Sequence, residues 1–290
     1  ANVIHVTTTD GSKMSEKQVL LRNSDYPDFC SCHVRDPKVW KEGDIWKMVL
    51  GARTLDDEGC VLVYQSDDLI NWKYAGKVYK EGYGYMWECP DYFEIDGKGF
   101  LSTCPQGMPH YETKWQNLNE SGYFTVQGKL EDSVLGDFTE WDMGFDFYAP
   151  QTMETEDGRR ILIGWMQSWD NPIYPDTQRW SGMMTVPREL FMHDGRICQL
   201  PVRELDRYHM NEVAYKDICI EKSVQLDGIS GRTVDLKLDL KGNQYTKFQI
   251  KLASDGRRYS EIVYDRDKDT ITFDRTYSGL RKDTLCTRRM

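Results

Sequence analysis

Three stretches of this chain repeat one plan, and that repeat limits the possible folds more than any other feature. In each, a proline opens an apolar run, a charged turn containing glycine follows, and a second apolar run returns. The stretches are Asp36-Pro-Lys-Val-Trp-Lys-Glu-Gly-Asp-Ile-Trp-Lys-Met-Val-Leu, Cys89-Pro-Asp-Tyr-Phe-Glu-Ile-Asp-Gly-Lys-Gly-Phe-Leu and Ala149-Pro-Gln-Thr-Met-Glu-Thr-Glu-Asp-Gly-Arg-Arg-Ile-Leu-Ile. Their leading prolines, Pro37, Pro90 and Pro150, stand 53 and 60 residues apart. That spacing suits a propeller blade of four short strands, of which WD40 and kelch repeats, at about 40 to 50 residues, are smaller versions. A sandwich also alternates strands, but matched openings at near-equal steps favour the propeller, whose units bury their faces only against neighbours.

Outside the repeats the chain is also β-rich. Helical periodicity is hard to find, and short apolar runs such as Trp46-Lys-Met-Val-Leu, Val61-Leu-Val-Tyr and Arg160-Ile-Leu-Ile-Gly lie between Gly, Asp and Asn residues. After Leu200-Pro-Val-Arg-Glu-Leu the pattern changes to strict alternation of apolar and charged residues, in Val234-Asp-Leu-Lys-Leu-Asp-Leu, Phe248-Gln-Ile-Lys-Leu, Glu261-Ile-Val-Tyr and Thr270-Ile-Thr-Phe. Such runs predict half-buried antiparallel strands of a sandwich. The chain therefore reads as all-β, with a propeller domain over residues 1–206 and part of a β-sandwich over 207–290.

Composition narrows the partners. With 47 acidic against 37 basic residues, a net charge of -10 repels phosphate and argues against nucleic acid or an anionic membrane. A neutral small molecule fits better, and no run of about 18 apolar residues is present to span a bilayer. The eight cysteines, Cys30, Cys32, Cys60, Cys89, Cys104, Cys198, Cys219 and Cys286, show no Cys-x-x-Cys spacing and no His at zinc-ligand intervals. No metal or other cofactor is expected, and scattered cysteines in a large domain suggest reduced thiols in the cytoplasm. The start at Ala1, with neither an initiator Met nor a charged leader, reads as internal to a longer protein.

Glycosidic bonds are broken by paired carboxyl groups flanking the anomeric carbon, one protonated and one ionised. Side chains at the start of each blade's inner strand converge on the central funnel, and Glu88 and Asp36 stand at such starts. Glu88 lies in Tyr85-Met-Trp-Glu-Cys-Pro, an apolar setting suited to a proton donor; the alternative is a solvated glutamate at a strand edge. Asp36 precedes a proline, which predicts extended backbone, and on its own it reads first as a turn residue or an ion-pair partner of Arg35. Aligning the prolines sets Glu88 in one column with Arg35 and Tyr148, and Asp36 in the next with Cys89 and Ala149. Strict alternation would send Glu88 and Asp36 to opposite faces, so a bulge is needed to bring them together.

His33-Val-Arg-Asp-Pro-Lys-Val, Met86-Trp-Glu-Cys-Pro-Asp, Phe147-Tyr-Ala-Pro-Gln, Gly164-Trp-Met and Trp180-Ser-Gly-Met-Met-Thr-Val-Pro-Arg-Glu-Leu occur in that order, and together they resemble glycoside hydrolase family 32. This is the family of invertases, sucrose-6-phosphate hydrolases and fructan hydrolases. The resemblance implies a five-bladed propeller followed by a β-sandwich, with about three blades present here, and release of terminal β-D-fructose from sucrose, sucrose 6-phosphate or fructans. It makes Glu88 the general acid/base and Asp36 the transition-state stabiliser that grips fructose hydroxyls. Arg35, Cys89, Gln106, Tyr148, Trp165 and Trp180 become substrate-pocket residues.

The nucleophile of that family is an aspartate in a Trp-Met-Asn-Asp-Pro-Asn-like motif about a hundred residues before the Arg-Asp-Pro motif by blade spacing. Only 35 residues precede Asp36, and no Asn-Asp-Pro occurs. The expectation is a chain lacking roughly two blades, the nucleophile and the end of the sandwich. The alternative is a catalytically silent propeller that binds fructosides. Oligomeric state is not legible.

Overall fold

The computed structural model describes residues 1–167, 179–180, 182–231, 233–242, 244–279 and 287–290. It divides into two compact units, Ala1–Leu200 and Pro201–Met290, ahead of the 206/207 boundary read from the sequence.

The first unit opens with a two-stranded ribbon, β1 (Val3–His5) and β2 (Gln18–Leu21). Three four-stranded antiparallel sheets follow, each a meander in chain order. The first blade is β3 (Cys30–Glu42), β4 (Ile45–Thr54), β5 (Gly59–Ser66) and β6 (Lys73–Val78). The second is β7 (Met86–Ile95), β8 (Lys98–Gln106), β9 (Gly122–Gln127) and β10 (Val134–Glu140). The third is β11 (Tyr148–Glu154), β12 (Arg160–Trp165), β13 (Arg188–His193) and β14 (Arg196–Pro201). Each proline of the repeat sits in the first strand of its blade. The Asp-Gly pair of the second repeat closes a tight hairpin: Asp96 and Gly97, between β7 and β8, both take the positive φ that such a turn requires, at 52° and 72°.

Period-two alternation decides which face of a strand goes where. In the first blade, Val49, Val61 and Val63 pack with Trp87, Leu101, Phe124 and Phe138 of the second. The alternate residues Met48, Leu50, Leu62 and Tyr64 join Val3, Leu21 and Tyr26 on the other side. Phe93, Phe100 and Tyr123 of the second blade meet Phe147, Leu162 and Leu190 of the third. Gly51 shows how closely the first two blades approach, because a Cβ there would run into the Trp87 carbonyl oxygen. That contact holds the backbone one residue ahead of Glu88.

The second unit contains one four-stranded sheet, β15 (Lys247–Leu252), β16 (Ser260–Asp265), β17 (Thr270–Asp274) and β18 (Thr287–Arg289). Three of the four predicted alternating runs are strands of this sheet. The fourth is a correction: residues 234–240 form no strand, and Val234, Leu236, Leu238 and Leu240 are exposed. Alternation makes a segment fit for a sheet, but a strand also needs hydrogen-bonded neighbours, and no strand pairs with this run among the described residues.

Candidate active site

The inner strands of all three blades are broken at the same place by the same device. Arg35 faces Gly51 and Lys38 faces Val49, so Asp36 and Pro37 together oppose Leu50 alone. In the second blade Glu88 faces Cys104 and Asp91 faces Ser102, which sets Cys89 and Pro90 against Thr103. In the third, Tyr148 faces Trp165 and Gln151 faces Ile163, which sets Ala149 and Pro150 against Gly164. Two residues against one is a β-bulge, and proline suits it because it has no N–H to leave unpaired.

The residue before each proline takes left-handed backbone, with φ of 60° at Asp36, 49° at Cys89 and 50° at Ala149. The expectation of extended backbone at Asp36 is therefore wrong: the bulge overrides the steric preference of a residue before proline. Holding a non-glycine residue there costs about 1–3 kcal/mol, and such strain concentrates at functional sites.

The bulges put the aligned residues into rings. In the first ring Arg35, Glu88 and Tyr148 meet. The Tyr148 hydroxyl donates to Glu88 Oε2 at 2.6 Å, the Gln106 amide donates to the same oxygen at 2.8 Å, and Arg35 Nη1 lies 3.3 Å from Oε1. The Glu88 side chain is only 13% exposed, which rules out the solvated strand-edge glutamate. Asp36 is not the partner of Arg35, whose other contact is His33 Nδ1 at 2.8 Å. The Asp36 carboxylate instead accepts the Cys89 N–H at 3.0 Å and lies 3.7 Å from the Cys89 thiol. The bulge of the first blade thus sets the Asp36 carboxylate against the peptide N–H of the residue that follows Glu88.

Burial, ahead of the nearby Cys104 and Glu88, pushes the Tyr148 phenol far above its ordinary value. It therefore keeps its proton and acts as a donor. The hydrogen bond with Cys104, followed by burial, raises Cys89 strongly, so it stays a thiol.

A second ring was not anticipated. Lys38, Asp91 and Gln151 occupy the position just after each proline. Lys38 Nζ lies 3.4 Å from Asp91 Oδ1 and donates to Gln151 Oε1 at 3.2 Å and to the Thr152 carbonyl at 2.7 Å. Asp91 also accepts the Thr152 N–H at 2.5 Å. Burial raises the Asp91 carboxyl above its ordinary range, with Lys38 pulling the other way. The proline alignment that grouped Arg35, Glu88 and Tyr148 also groups these three residues, so the signal for them was three columns further on, just past the prolines.

Of the remaining candidates, Trp165 lies on β12 as the register partner of Tyr148. Trp180 is 57% exposed, and no hydrogen bond or ring contact among the described residues brings it to Glu88. A cleft of about 360 Å³, lined by Tyr85, Gln106, Gly107, Leu118 and Asn119, opens beside Gln106. No cluster of metal-ligating side chains occurs among the described residues, and none of their helices is long and apolar enough to cross a membrane. Cys30, Cys32, Cys60, Cys89, Cys104, Cys198 and Cys219 are free thiols, and Cys286 lies outside the described residues.

Comparison with known proteins gives one family. Residues 2–201 match the model for the glycosyl hydrolases family 32 N-terminal domain, and residues 204–289 match that for the family 32 C-terminal domain. The chain is 34% identical over 257 residues to a sucrose-6-phosphate hydrolase of Staphylococcus xylosus, covering 87% of this chain and 52% of that protein. It is 41% identical over 204 residues to a raffinose invertase of Escherichia coli, covering 69% of this chain and 42% of that protein. A solved structure of a Bombyx mori β-fructofuranosidase superposes with a TM-score of 0.74 at 25% identity, over all of this chain and 63% of that one. The chain thus spans about half the length of the curated relatives it matches.

Proposed function

The chain belongs to glycosyl hydrolase family 32, and from that premise we propose that the full-length protein is a retaining glycoside hydrolase releasing terminal β-D-fructose from sucrose, sucrose 6-phosphate or fructans. The observation that carries this reading is Glu88, enclosed by three donors with the Asp36 carboxylate on the neighbouring bulge. In the proposed reaction Glu88 gives its proton to the leaving glycosidic oxygen while a nucleophilic carboxylate attacks C2 of fructose. Glu88 then takes a proton from the water that hydrolyses the fructosyl intermediate. Tyr148, Gln106 and Arg35 hold the carboxylate in place after its proton has left, and Asp36 grips fructose hydroxyls. The cleft beside Gln106 suits the leaving group. Trp165 and Trp180 are apolar faces for the sugar.

No Asn-Asp-Pro motif occurs in these 290 residues, so the attacking carboxylate is assigned to a segment outside them. Free thiols at the seven cysteines among the described residues suit a reducing, cytoplasmic setting. If the full-length protein also lacks that motif, the second reading applies: a propeller that binds fructosides without cleaving them. Sucrose hydrolysis by the full-length protein separates the two. Turnover that falls by about 10²- to 10⁴-fold in Glu88→Gln supports the hydrolase. A parent protein that binds sucrose without releasing fructose supports the binding propeller, and unchanged turnover in the mutant removes Glu88 from the mechanism.

A further inference from the structure

The residue that follows Glu88 has an unusual need. Cys89 sits in the bulge with left-handed backbone and no register partner on β8. Its peptide groups must find partners elsewhere or be left unsatisfied, and both are taken by side chains from the flanking blades. Asp36 of the first blade accepts its N–H at 3.0 Å, and the Gln151 side-chain amide of the third donates to its carbonyl at 3.2 Å. An amide group can present either its oxygen or its nitrogen, and Lys38 settles which. Its ammonium is a donor only, and it holds Gln151 Oε1 at 3.2 Å, which turns the NH₂ toward Cys89. Lys38 is itself fixed by Asp91 and by the Thr152 carbonyl.

We propose that Gln151, oriented by the Lys38–Asp91 pair, is a positioning residue for Glu88, which it holds in register by clamping the strained peptide that follows it. The proposal rests on the hydrolase reading of Glu88. Without the clamp, the Cys89 carbonyl turns to find another donor and the bulge relaxes. The Glu88 carboxyl then leaves the point where Arg35, Gln106 and Tyr148 converge. A small displacement of a proton donor lowers the rate of the chemical step far more than it weakens binding of a sugar held by other groups.

The test uses Gln151→Glu in the full-length protein with sucrose as substrate. Glutamate has the same shape and keeps the contact with Lys38, but its carboxylate cannot donate to the Cys89 carbonyl. The expected result is a fall in kcat of about tenfold to hundredfold, with KM within about threefold of the parent and an unchanged melting temperature. A raised KM with unchanged kcat would overturn the proposal, since it would make Gln151 a direct substrate contact. A kcat within about twofold of the parent, beside an inactive Glu88→Gln, would overturn it while leaving the hydrolase reading intact. An active Glu88→Gln would remove both. If Gln151→Glu melts early, Gln151→Met, which is uncharged, similar in length and also unable to donate, is judged by the same criteria.

Discussion

Tyr148 makes the shortest of the three polar contacts to Glu88, at 2.6 Å, and its raised phenol pKa keeps it a donor to the ionised carboxylate. Tyr148→Phe removes that hydrogen bond and little else. A hydrogen bond to a charged group is worth about 1.5–3 kcal/mol, so kcat/KM for sucrose should fall roughly ten- to hundredfold. A loss below twofold would mean that the hydroxyl only fills space. Much of this cluster was legible, because the prolines bring Arg35, Glu88 and Tyr148 into one column and the structure brings them into contact. What was not legible was conformation. The rule for residues before proline describes a chain free to choose, and at Asp36, Cys89 and Ala149 the bulge chooses instead, held at Cys89 by hydrogen bonds from both flanking blades.

At the scale of the strand, the repeated bulge explains why residues three apart, such as Arg35 and Lys38, each reach a ring shared by the three blades. It also predicts how the second ring responds to charge removal. Asp91 is 1% exposed and Lys38 27% exposed, so the two halves of the pair are not equivalent. Lys38→Met strands a buried carboxylate and should cost about 3 kcal/mol near neutral pH, whereas Asp91→Asn should cost less because Lys38 can partly reach water. Removing both charges should cost less than the sum. The pH dependence follows from the direction of the Asp91 shift. A carboxyl whose pKa is higher folded than unfolded binds its proton more tightly when folded, so stability falls as pH rises from the unfolded value, near 3.8, through the folded one. Lys38 is the cause that opposes the upward shift, and its loss raises the folded pKa further. The deficit of Lys38→Met should therefore grow with rising pH and shrink in acid. Denaturant melts of the full-length parent and variant at about pH 5 and about pH 8 measure it, and a deficit independent of pH would show that Asp91 is not the group responsible. Strand placement itself was legible wherever a partner exists, as at β15 to β17. It failed over residues 234–240, because alternation reports the faces of a strand but not the neighbour it needs.

For the molecule as a whole, stability comes from one unit burying the face of the next. Trp87 stacks on Phe124 at 5.1 Å in a core shared by the first and second blades, and Phe93 lies 6.3 Å from Trp141 in the core shared with the third. Order and type of the domains were legible because this dependence forces a repeat into the sequence. The same dependence exposes what is not covered. Val234, Leu236, Leu238 and Leu240 are 54%, 44%, 44% and 41% exposed and alternate with charged residues, which gives an extended segment an apolar edge with no paired strand among the described residues. Segments of that kind pair with copies of themselves. The 290-residue polypeptide expressed alone should therefore bind an apolar dye and scatter light increasingly with concentration. Replacing these four residues by threonine keeps the β-propensity and removes the apolar edge, and it should raise the monomeric fraction in size-exclusion chromatography. A parent polypeptide that is monodisperse and melts cooperatively would show that this edge is covered within the chain, and an unchanged monomeric fraction in the threonine variant would move the cause of association to another surface.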